Sequence, residues 1–326
     1  MITIHKASTS AATVVVVLSM FLNACGDSDL VEIHDRELDD VIAALEDTDL
    51  APANPTSPQN GVDTGSEGEQ TSDPENPLAL NLGQYELIFS EEFTGDSIDE
   101  SKWNTALSWG EEFFIYNQQQ FYVDVLQRPD FGYNPFSFDG DALTVTAIET
   151  PENLRAAAFE QPWLSGVLTT ADRFDVSYGY IETRISVEQG VGLWPSFWLL
   201  SSAFDGLRPE VYVMEYDGSK PDSVFHNYNY LDADDNQVTP GQFEVIREGF
   251  SSGYHTVGVR WTEQDLLFYI DGSPSYRIVG DNVPTEAMYL VLNLAVGGIW
   301  PGSPDATTPS APSITIDYVR VYKPRS

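Results

Sequence analysis

Short segments that alternate apolar and polar residues dominate the chain from residue 78 onward, and none of them extends into a long helical pattern. β-Branched and aromatic residues are frequent in each segment, as in half-buried strands. A hairpin signal, Asp271-Gly272, lies within DLLFYIDGSPSYRI. The pattern predicts an all-β fold, a β-sandwich or jelly roll of two stacked antiparallel sheets with a concave cleft. The other segments read YELIFS, ALTVTAIE, YGYIETRISV, VFHNYNYL, HTVGVRW, MYLVLNLAV and SITIDYVRVYK.

The charge balance restricts the partners of the chain. Asp and Glu total 51 against 15 Lys and Arg, which gives a formal net charge of −36. Such a surface repels the phosphates of nucleic acids and the headgroups of anionic membranes. We therefore expect a neutral or weakly charged partner and no nucleic acid. We also expect the protein to be a monomer.

Residues 1–24 have the features of an export signal. Lys6 precedes the apolar run AATVVVVLSMFL, which is too short to span a bilayer as a helix. The run leads into LNAC, which resembles the lipobox of bacterial lipoproteins and implies that Cys25 is lipidated. An ordinary signal peptide that contains a cysteine is the alternative. We expect an exported lipoprotein of the cell envelope or cell surface, held at the membrane by its lipid alone.

Residues 25–80 are predicted to form an acidic tether, and residues 81–326 the folded domain. Within the tether, LDDVIAALED has its apolar residues on one face and predicts one short helix. The remainder is rich in Pro, Gly, Ser and acidic residues, and it cannot bury enough apolar surface to offset its ordering entropy. Because Cys25 is the only cysteine, the chain cannot form an internal disulfide.

Two glutamates interrupt the apolar segment EVYVMEYDG at residues 210–218. Glu210 and Glu215 are five positions apart, so in a regular strand their side chains would point to opposite faces. A solvated strand with scattered acids would explain them without any function. The apolar residues between them and the neighbouring segment GLWPSFWLL count against that interpretation.

Several ordered motifs resemble glycoside hydrolase family 16, the β-jelly-roll endoglucanases and galactanases. The resemblance covers roughly residues 85–324, nearly the whole predicted domain. It implies a retaining, endo-acting hydrolase, most closely of a β-1,3- or mixed-linked glucan of the laminarin type. The motifs are GLWPSFWLL, EVYVMEYDG, FSEEFTGDSIDESKW, YGYIETRISV, VRWTEQDLLFYIDG, LNLAVGGIWPG and IDYVRVYKP.

The resemblance assigns a role to each glutamate. The family reads Glu-x-Asp-x-x-Glu here, and a β-bulge near Val213 or Met214 would return Glu215 to the face of Glu210. Glu210 would then be the nucleophile and Glu215 the acid and later the base. Retaining enzymes hold two such carboxyl groups about 5–5.5 Å apart. Like charge at that distance keeps one of them protonated.

Tyr212 departs from the family pattern, which has Asp at this position. A phenol can donate a hydrogen bond to ionised Glu210, but it cannot accept a proton as a carboxylate does. Our hypothesis is that Asp217, two residues after Glu215, partly replaces the missing charge. The alternative is a slow enzyme, or a protein that only binds glycans.

Aromatic and polar residues near the pair predict a sugar-binding surface, because indole rings stack on the apolar faces of pyranoses. Trp194 and Trp198 are four residues apart and would share one face of a strand. Core packing is the alternative for one of them, and it fits Trp198 better than Trp194. By the family pattern, the cleft would also be lined by Arg184, Asn117, His226 and Trp300.

Catalysis by two carboxyl groups requires no cofactor. The resemblance implies a possible structural calcium ion, with Asp317 as a ligand and Glu92 or its neighbours supplying others. An Asp317 that caps a strand end is the alternative.

Related activities remain open at this stage. An agar or carrageenan galactanase and a transglycosylase would use the same glutamates. A non-catalytic glycan-binding surface lipoprotein is the alternative of a different class: the presence of Glu210 and Glu215 argues against it, and Tyr212 argues for it. The scarcity of basic residues weighs against sulfated carrageenan.

Overall fold

Strands account for almost all regular structure in the computed structural model, which describes residues 78–110, 114–203, 209–232, 236–239, 243–280 and 283–325. The predicted signal segment, Cys25 and the predicted tether up to residue 77 lie outside the described residues. In the described part, the helical elements are four 3-10 turns at Leu82–Gln84, Glu152–Leu154, Ala156–Ala158 and Phe250–Ser252. The strands are β1 (Tyr85–Glu91), β2 (Gln120–Tyr122), β3 (Phe136–Phe138), β4 (Leu143–Thr146), β5 (Ile148–Glu149), β6 (Trp163–Ser165), β7 (Val167–Thr169), β8 (Asp175–Val176), β9 (Gly179–Val187), β10 (Leu193–Ser201), β11 (Glu210–Glu215), β12 (Ser223–Leu231), β13 (Gln237–Val238), β14 (Phe243–Ile246), β15 (His255–Trp261), β16 (Asp265–Ile270), β17 (Ser273–Val279), β18 (Met288–Val296) and β19 (Ser313–Pro324).

Two antiparallel sheets contain most of these strands, which confirms the predicted all-β sandwich. The front sheet has the order β13-β12-β11-β10-β18-β7, with β14 on β12 and β8 on β18. The rear sheet has the order β17-β16-β15-β9-β19-β4-β3, with β1 on β19. A small third sheet of β2, β6 and β5 contains the parallel pair β2 and β6.

The main core lies between the front and rear sheets. Alternating side chains of each sheet point inward, as expected for stacked sheets. This alternation explains why β9 buries Ile181 and Ile185 but leaves Arg184 partly exposed. The front sheet contributes Phe197, Leu199, Val211 and Leu290, and the rear sheet contributes Ile181, Val257, Phe268 and Val319.

The front sheet is buried on its second face as well. Every residue of β10, β11 and β18 is buried, although in β10 and β18 only alternate side chains reach the main core. The side chains on the opposite face form a second group, which we call the front cluster. Residues of the segment before β3 pack over it, among them Leu107, Trp109 and Tyr122. The front cluster consists of Val167, Trp198, Leu200, Tyr212, Tyr289 and Val291.

The outer face of the rear sheet is covered by the start of the described chain. Leu78 and Leu80 pack with Tyr180 and Tyr269, and the Tyr269 hydroxyl donates to the Leu78 carbonyl over 2.9 Å. Residues 78–80, which we assigned to the tether, therefore pack against the domain. Among the described residues, no helix has the length and hydropathy needed to cross a membrane.

Gly218 sits where two loops beside β11 approach closely. Its amide donates to Leu193, its carbonyl accepts from the Gly190 amide, and a methyl group here would overlap the Gly190 carbonyl oxygen. We expect Gly218→Ala to lower the free energy of unfolding by about 1–3 kcal/mol, measured by urea denaturation. Gly95→Ala is the matched control, because a methyl group there meets only ordinary contacts. Equal effects of the two substitutions would contradict this packing argument.

Candidate active site

Strand β11 carries a bulge between Tyr212 and Glu215. Tyr212 pairs with Asn227 of β12 and Glu215 pairs with Phe225, so three steps along β11 oppose two steps along β12. The pairing of β11 with β10 shifts by one residue at the same place. One extra residue on one strand of an antiparallel pair is a β-bulge. The bulge predicted near Val213 is therefore confirmed.

The bulge changes which residues of β11 face the main core. Val213 and Met214 are consecutive, yet both side chains lie in the main core. Tyr212 belongs to the front cluster and faces the other way. Because the alternation resumes after Met214, Glu215 points to the same side as Tyr212 and Glu210. The two glutamates thus share the front face of the sheet.

Glu210 is fully buried and is hydrogen bonded through its Oε2 atom. The Asn229 side-chain amide donates to this oxygen over 3.0 Å, and the Tyr212 hydroxyl donates over a longer 3.4 Å. Tyr212 is itself fixed by Trp198, because the two rings are stacked with centroids 5.1 Å apart and planes 7° from parallel. A buried carboxylate needs such donors to remain charged. These contacts therefore suit an ionised Glu210.

Glu215 is only 2% exposed and accepts a hydrogen bond at Oε1 from the Trp194 indole N–H over 3.0 Å. An indole nitrogen can only donate, so this oxygen must act as an acceptor. When Glu215 carries a proton, the proton therefore resides on Oε2. Two carboxyl groups buried on one face favour such a state, with one group ionised and the other protonated.

Aromatic rings surround the Glu215 end of the site. The ring centroid of Trp194 lies 5.3 Å from that of Trp300 and 6.1 Å from that of Tyr116. The centroids of Trp300 and Phe225 are 5.0 Å apart. Phe225 is the residue of β12 that pairs with Glu215. The structure thus brings Trp194 and Trp300 together beside the predicted acid, as a surface on which sugar rings could stack.

Trp198 is 4% exposed and belongs to the front cluster. Its indole N–H donates to the Asn293 side chain over 2.9 Å, and Asn293 donates to the Tyr122 hydroxyl over 3.0 Å. Burial raises the pKa of Tyr122, which stays neutral as a result. Trp198 thus packs in the front cluster and also lines a small pocket. The residues that line this pocket include Tyr116, Gln118, Trp194, Ser196, Trp198 and Tyr212.

Asp217 and Asn117 lie in turns next to the site. Asp217 is 6% exposed and accepts from the Ser219 amide over 3.0 Å and from its hydroxyl over 2.8 Å. Its carboxylate therefore stabilises the turn after β11, and support of Glu215 stays a prediction. Asn117 is exposed in the turn before β2 with a φ of 54°, directly after Tyr116. A contact of Asn117 with substrate also stays a prediction.

His226 and Arg184 are placed away from the two glutamates, against our expectation that they line the cleft. His226 neighbours Phe225 and Asn227 on β12, so its side chain takes the opposite face, where it is fully buried. Arg184 lies on β9 of the rear sheet. The expectation for His226 is wrong because side chains alternate along β12 and His226 takes the core side. The expectation for Arg184 is wrong because β9 belongs to the rear sheet.

The two residues expected to bind calcium are each paired with an arginine, and calcium binding by Asp317 with main-chain oxygens stays a prediction. Asp317 pairs with Arg184, and Glu92 accepts both Nε and Nη2 of Arg320 over 2.9 and 2.6 Å. Each carboxylate is thus already neutralised by a guanidinium group, which is a poor setting for Ca²⁺. Within the described residues, no cluster of three or more acidic, His or Cys side chains could hold a metal ion.

Sequence reasoning missed Asn229, Asn293, Phe225 and Tyr116 as members of the site. Asn229 and Phe225 could have been found from alternation in VFHNYNYL, since Phe225, Asn227 and Asn229 face one side. Asn293 faces Ser196 across β10 and β18, a pairing that no local pattern reveals.

Comparisons with known proteins identify relatives of this chain. The family model described as Glycosyl hydrolases family 16 matches residues 133–320. The endo-1,3-1,4-beta-glycanase ExsH of Rhizobium meliloti is 30% identical over 253 residues, which are 75% of this chain and 53% of that protein. The chain therefore spans about half the length of that curated relative.

Solved structures share the fold. The laminarinase catalytic domain of Thermotoga maritima superposes with a TM-score of 0.63 at 25% identity, over 74% of this chain and all of that one. The endo-beta-1,3-glucanase of Pyrococcus furiosus gives a TM-score of 0.62 at 26% identity, over 74% of this chain and 95% of that one. With the family model matching more than half of the residues, the chain belongs to the glycosyl hydrolases family 16.

Proposed function

We propose that this protein is a retaining, endo-acting hydrolase of β-1,3- or mixed-linked glucans. One observation carries the proposal: the bulge of β11 brings two buried glutamates to one face. Each glutamate has its own donor, Asn229 for Glu210 and Trp194 for Glu215. Two carboxyl groups with different partners suit a reaction in which one attacks and the other transfers a proton.

The reaction has two steps. In the first, a Glu210 oxygen bonds to the anomeric carbon, and the bond to the leaving oxygen breaks as that oxygen takes the proton of Glu215. In the second, Glu215 removes a proton from water, which attacks the same carbon and releases Glu210. The two inversions restore the β configuration. Apart from the attacking water, both steps use only side chains of this chain.

The choice of glucan is supported by the relatives and by charge. Several relatives and solved structures are named for action on β-1,3- or β-1,3-1,4-glucans, whereas one relative, 26% identical over 288 residues, is named a keratan-sulfate endo-1,4-beta-galactosidase. Basic residues are few, at 15 in the whole chain, which disfavours sulfated galactans. The aromatic group around Trp194 suits neutral sugar rings.

The function is tested with the purified chain on laminarin, mixed-linked β-glucan and agarose. We expect new reducing ends from the two glucans, with oligosaccharides as early products and the β anomer formed first in proton NMR. Release from agarose alone would overturn the substrate class. Binding to glucans without release of reducing ends would identify a glycan-binding protein instead.

Tyr212→Phe tests the hydrogen bond to Glu210. The phenol donates over 3.4 Å, and a donor favours the ionised form of its partner. We expect kcat/KM to fall about 5-fold on the acidic side of the pH profile and less at higher pH. Tyr133→Phe is the control, because that hydroxyl donates to the Thr146 carbonyl and does not contact either glutamate. A pH profile that superposes on the wild type would rule out this role for Tyr212.

We also propose that Cys25 is the lipidated first residue of an exported protein. The support is the motif LNAC after an apolar run, followed by an acidic tether. Expression in a bacterial host with radiolabelled palmitate should label the wild type in the membrane fraction. Cys25→Ala should abolish the label, and a variant that remains labelled would contradict the assignment.

A further inference from the structure

The bulge of β11 has a dedicated hydrogen-bond donor on the neighbouring strand. His226 is the residue of β12 between Phe225 and Asn227, so it lies directly opposite the extra residue of β11. Its Nδ1 atom is 2.7 Å from the carbonyl oxygen of Val213, the first of the two bulge residues. A bulge disrupts the ladder locally and leaves backbone groups to be satisfied by other means. The imidazole supplies that partner.

The far side of the same ring is held by the rear sheet. His226 Nε2 lies 2.9 Å from the Ser275 hydroxyl. The imidazole ring is stacked on the Phe268 ring, with centroids 4.6 Å apart. Ser275 is itself an extra residue, because β17 shifts register against β16 between Pro274 and Tyr276. The imidazole therefore joins the bulge of the front sheet to a bulge of the rear sheet.

These contacts determine the tautomer of His226. A carbonyl oxygen can only accept, so Nδ1 must carry the proton and Nε2 must accept from the Ser275 hydroxyl. Burial lowers the pKa of His226 to about 4, so the ring is neutral around neutral pH. A single proton on Nδ1 is consistent with both hydrogen bonds at once.

We propose that His226 is a positioning residue for the acid/base Glu215. It holds the Val213 carbonyl and thereby the one-residue register shift that turns Glu215 to the front face. This role rests on the proposed function, since it concerns how Glu215 reaches the leaving oxygen. The bulge lies directly between Tyr212 and Glu215, so relaxation of the bulge would move Glu215 relative to Glu210.

Two variants separate the donor from the bulk of the ring. In His226→Asn the side-chain amide occupies the place of Nδ1 and can still donate to Val213. In His226→Gln the amide occupies the place of Nε2 and leaves the carbonyl without its donor. Misplacement of a catalytic group by about 1 Å can cost roughly 100-fold. We expect kcat/KM on β-glucan to fall about 100-fold in His226→Gln and less than about 10-fold in His226→Asn.

A second substrate shows whether the loss passes through Glu215. A 2,4-dinitrophenyl β-oligoglucoside has a leaving group that needs no proton, so bond cleavage does not depend on the acid. We expect His226→Gln to retain most of its kcat/KM on this substrate. Val224→Ala is the control, because it truncates the main core on the same face of β12 and should lower both rates in proportion. Equal losses of His226→Gln on both substrates, or equal losses in the Asn and Gln variants, would overturn the proposal.

The tautomer provides a test that does not use activity. Long-range proton–nitrogen NMR of the wild type should show the His226 proton on Nδ1, and a proton on Nε2 would overturn the proposed contact. If the wild type fails to hydrolyse any glucan or the aryl glycoside, the proposed function fails. The NMR result then still decides whether His226 donates to the bulge.

Discussion

Glu210→Gln is expected to reduce hydrolysis of β-glucan by roughly 10⁴-fold or more, because the amide cannot form the glycosyl bond that begins the reaction. The substitution preserves the shape of a fully buried side chain and its contact with the Asn229 amide region. Folding should therefore persist, as measured by thermal unfolding and by retained binding of gluco-oligosaccharides. Reducing-end release on laminarin measures the loss.

Glu244→Gln provides the matched control for this substitution. Glu244 lies on β14 of the same sheet, is partly exposed and accepts from the Ser223 hydroxyl over 2.8 Å. The same chemical change there should leave the rate within about 2-fold, since the surroundings are partly solvated. A Glu210→Gln enzyme with more than a tenth of the wild-type rate would remove Glu210 from the reaction.

Glu215→Ala should have the second largest effect, about 10²- to 10⁴-fold on β-glucan, because the leaving oxygen loses its proton donor. Activity on a 2,4-dinitrophenyl β-oligoglucoside should be limited by the second step, which lacks its base. Azide should then restore turnover, since it attacks the anomeric carbon without needing a base. Glu215 also accepts from Trp194, and the alanine variant removes that contact as well.

The configuration of the azide product distinguishes the two glutamates. In Glu215→Ala, azide attacks the glycosyl-enzyme and gives the β-glycosyl azide. In Glu210→Ala, azide occupies the space of the nucleophile and gives the α-glycosyl azide. The opposite pairing of variant and product would exchange the two assigned roles, and no rescue in either variant would contradict a retaining reaction.

Much of the fold could be predicted from the sequence because strands are local patterns. Alternating segments such as YGYIETRISV and HTVGVRW correspond to β9 and β15, and both lie in stacked antiparallel sheets. The bulge was also predictable, because two carboxyl groups five residues apart could share a face only if one residue were added. The Tyr212 hydroxyl donates to Glu210 as expected of a phenol, although this hydrogen bond is long at 3.4 Å.

The partners of individual polar residues were not predictable from local sequence. Arg184 alternates correctly within β9, but nothing in the segment shows that β9 belongs to the rear sheet. His226 lies between Phe225 and Asn227, whose side chains face the site. Because side chains alternate along a strand, the His226 side chain faces the core instead. The pairing of Asp317 with Arg184 depends on the contact between β19 and β9, strands that are far apart in the chain.

The bulge has a consequence for how this protein can change during evolution or engineering. Which face Glu215 occupies depends on the number of residues after Tyr212, and only secondarily on what those residues are. Point substitutions at Tyr212 or Asp217 therefore adjust the rate gradually. Loss of the bulge at unchanged length would turn Glu215 towards the main core, whereas deletion of Val213 would leave Glu210 and Glu215 four residues apart, on one face of a regular strand. Libraries built on this scaffold can therefore compare a bulged with a regular β11 while they vary the side chains around it.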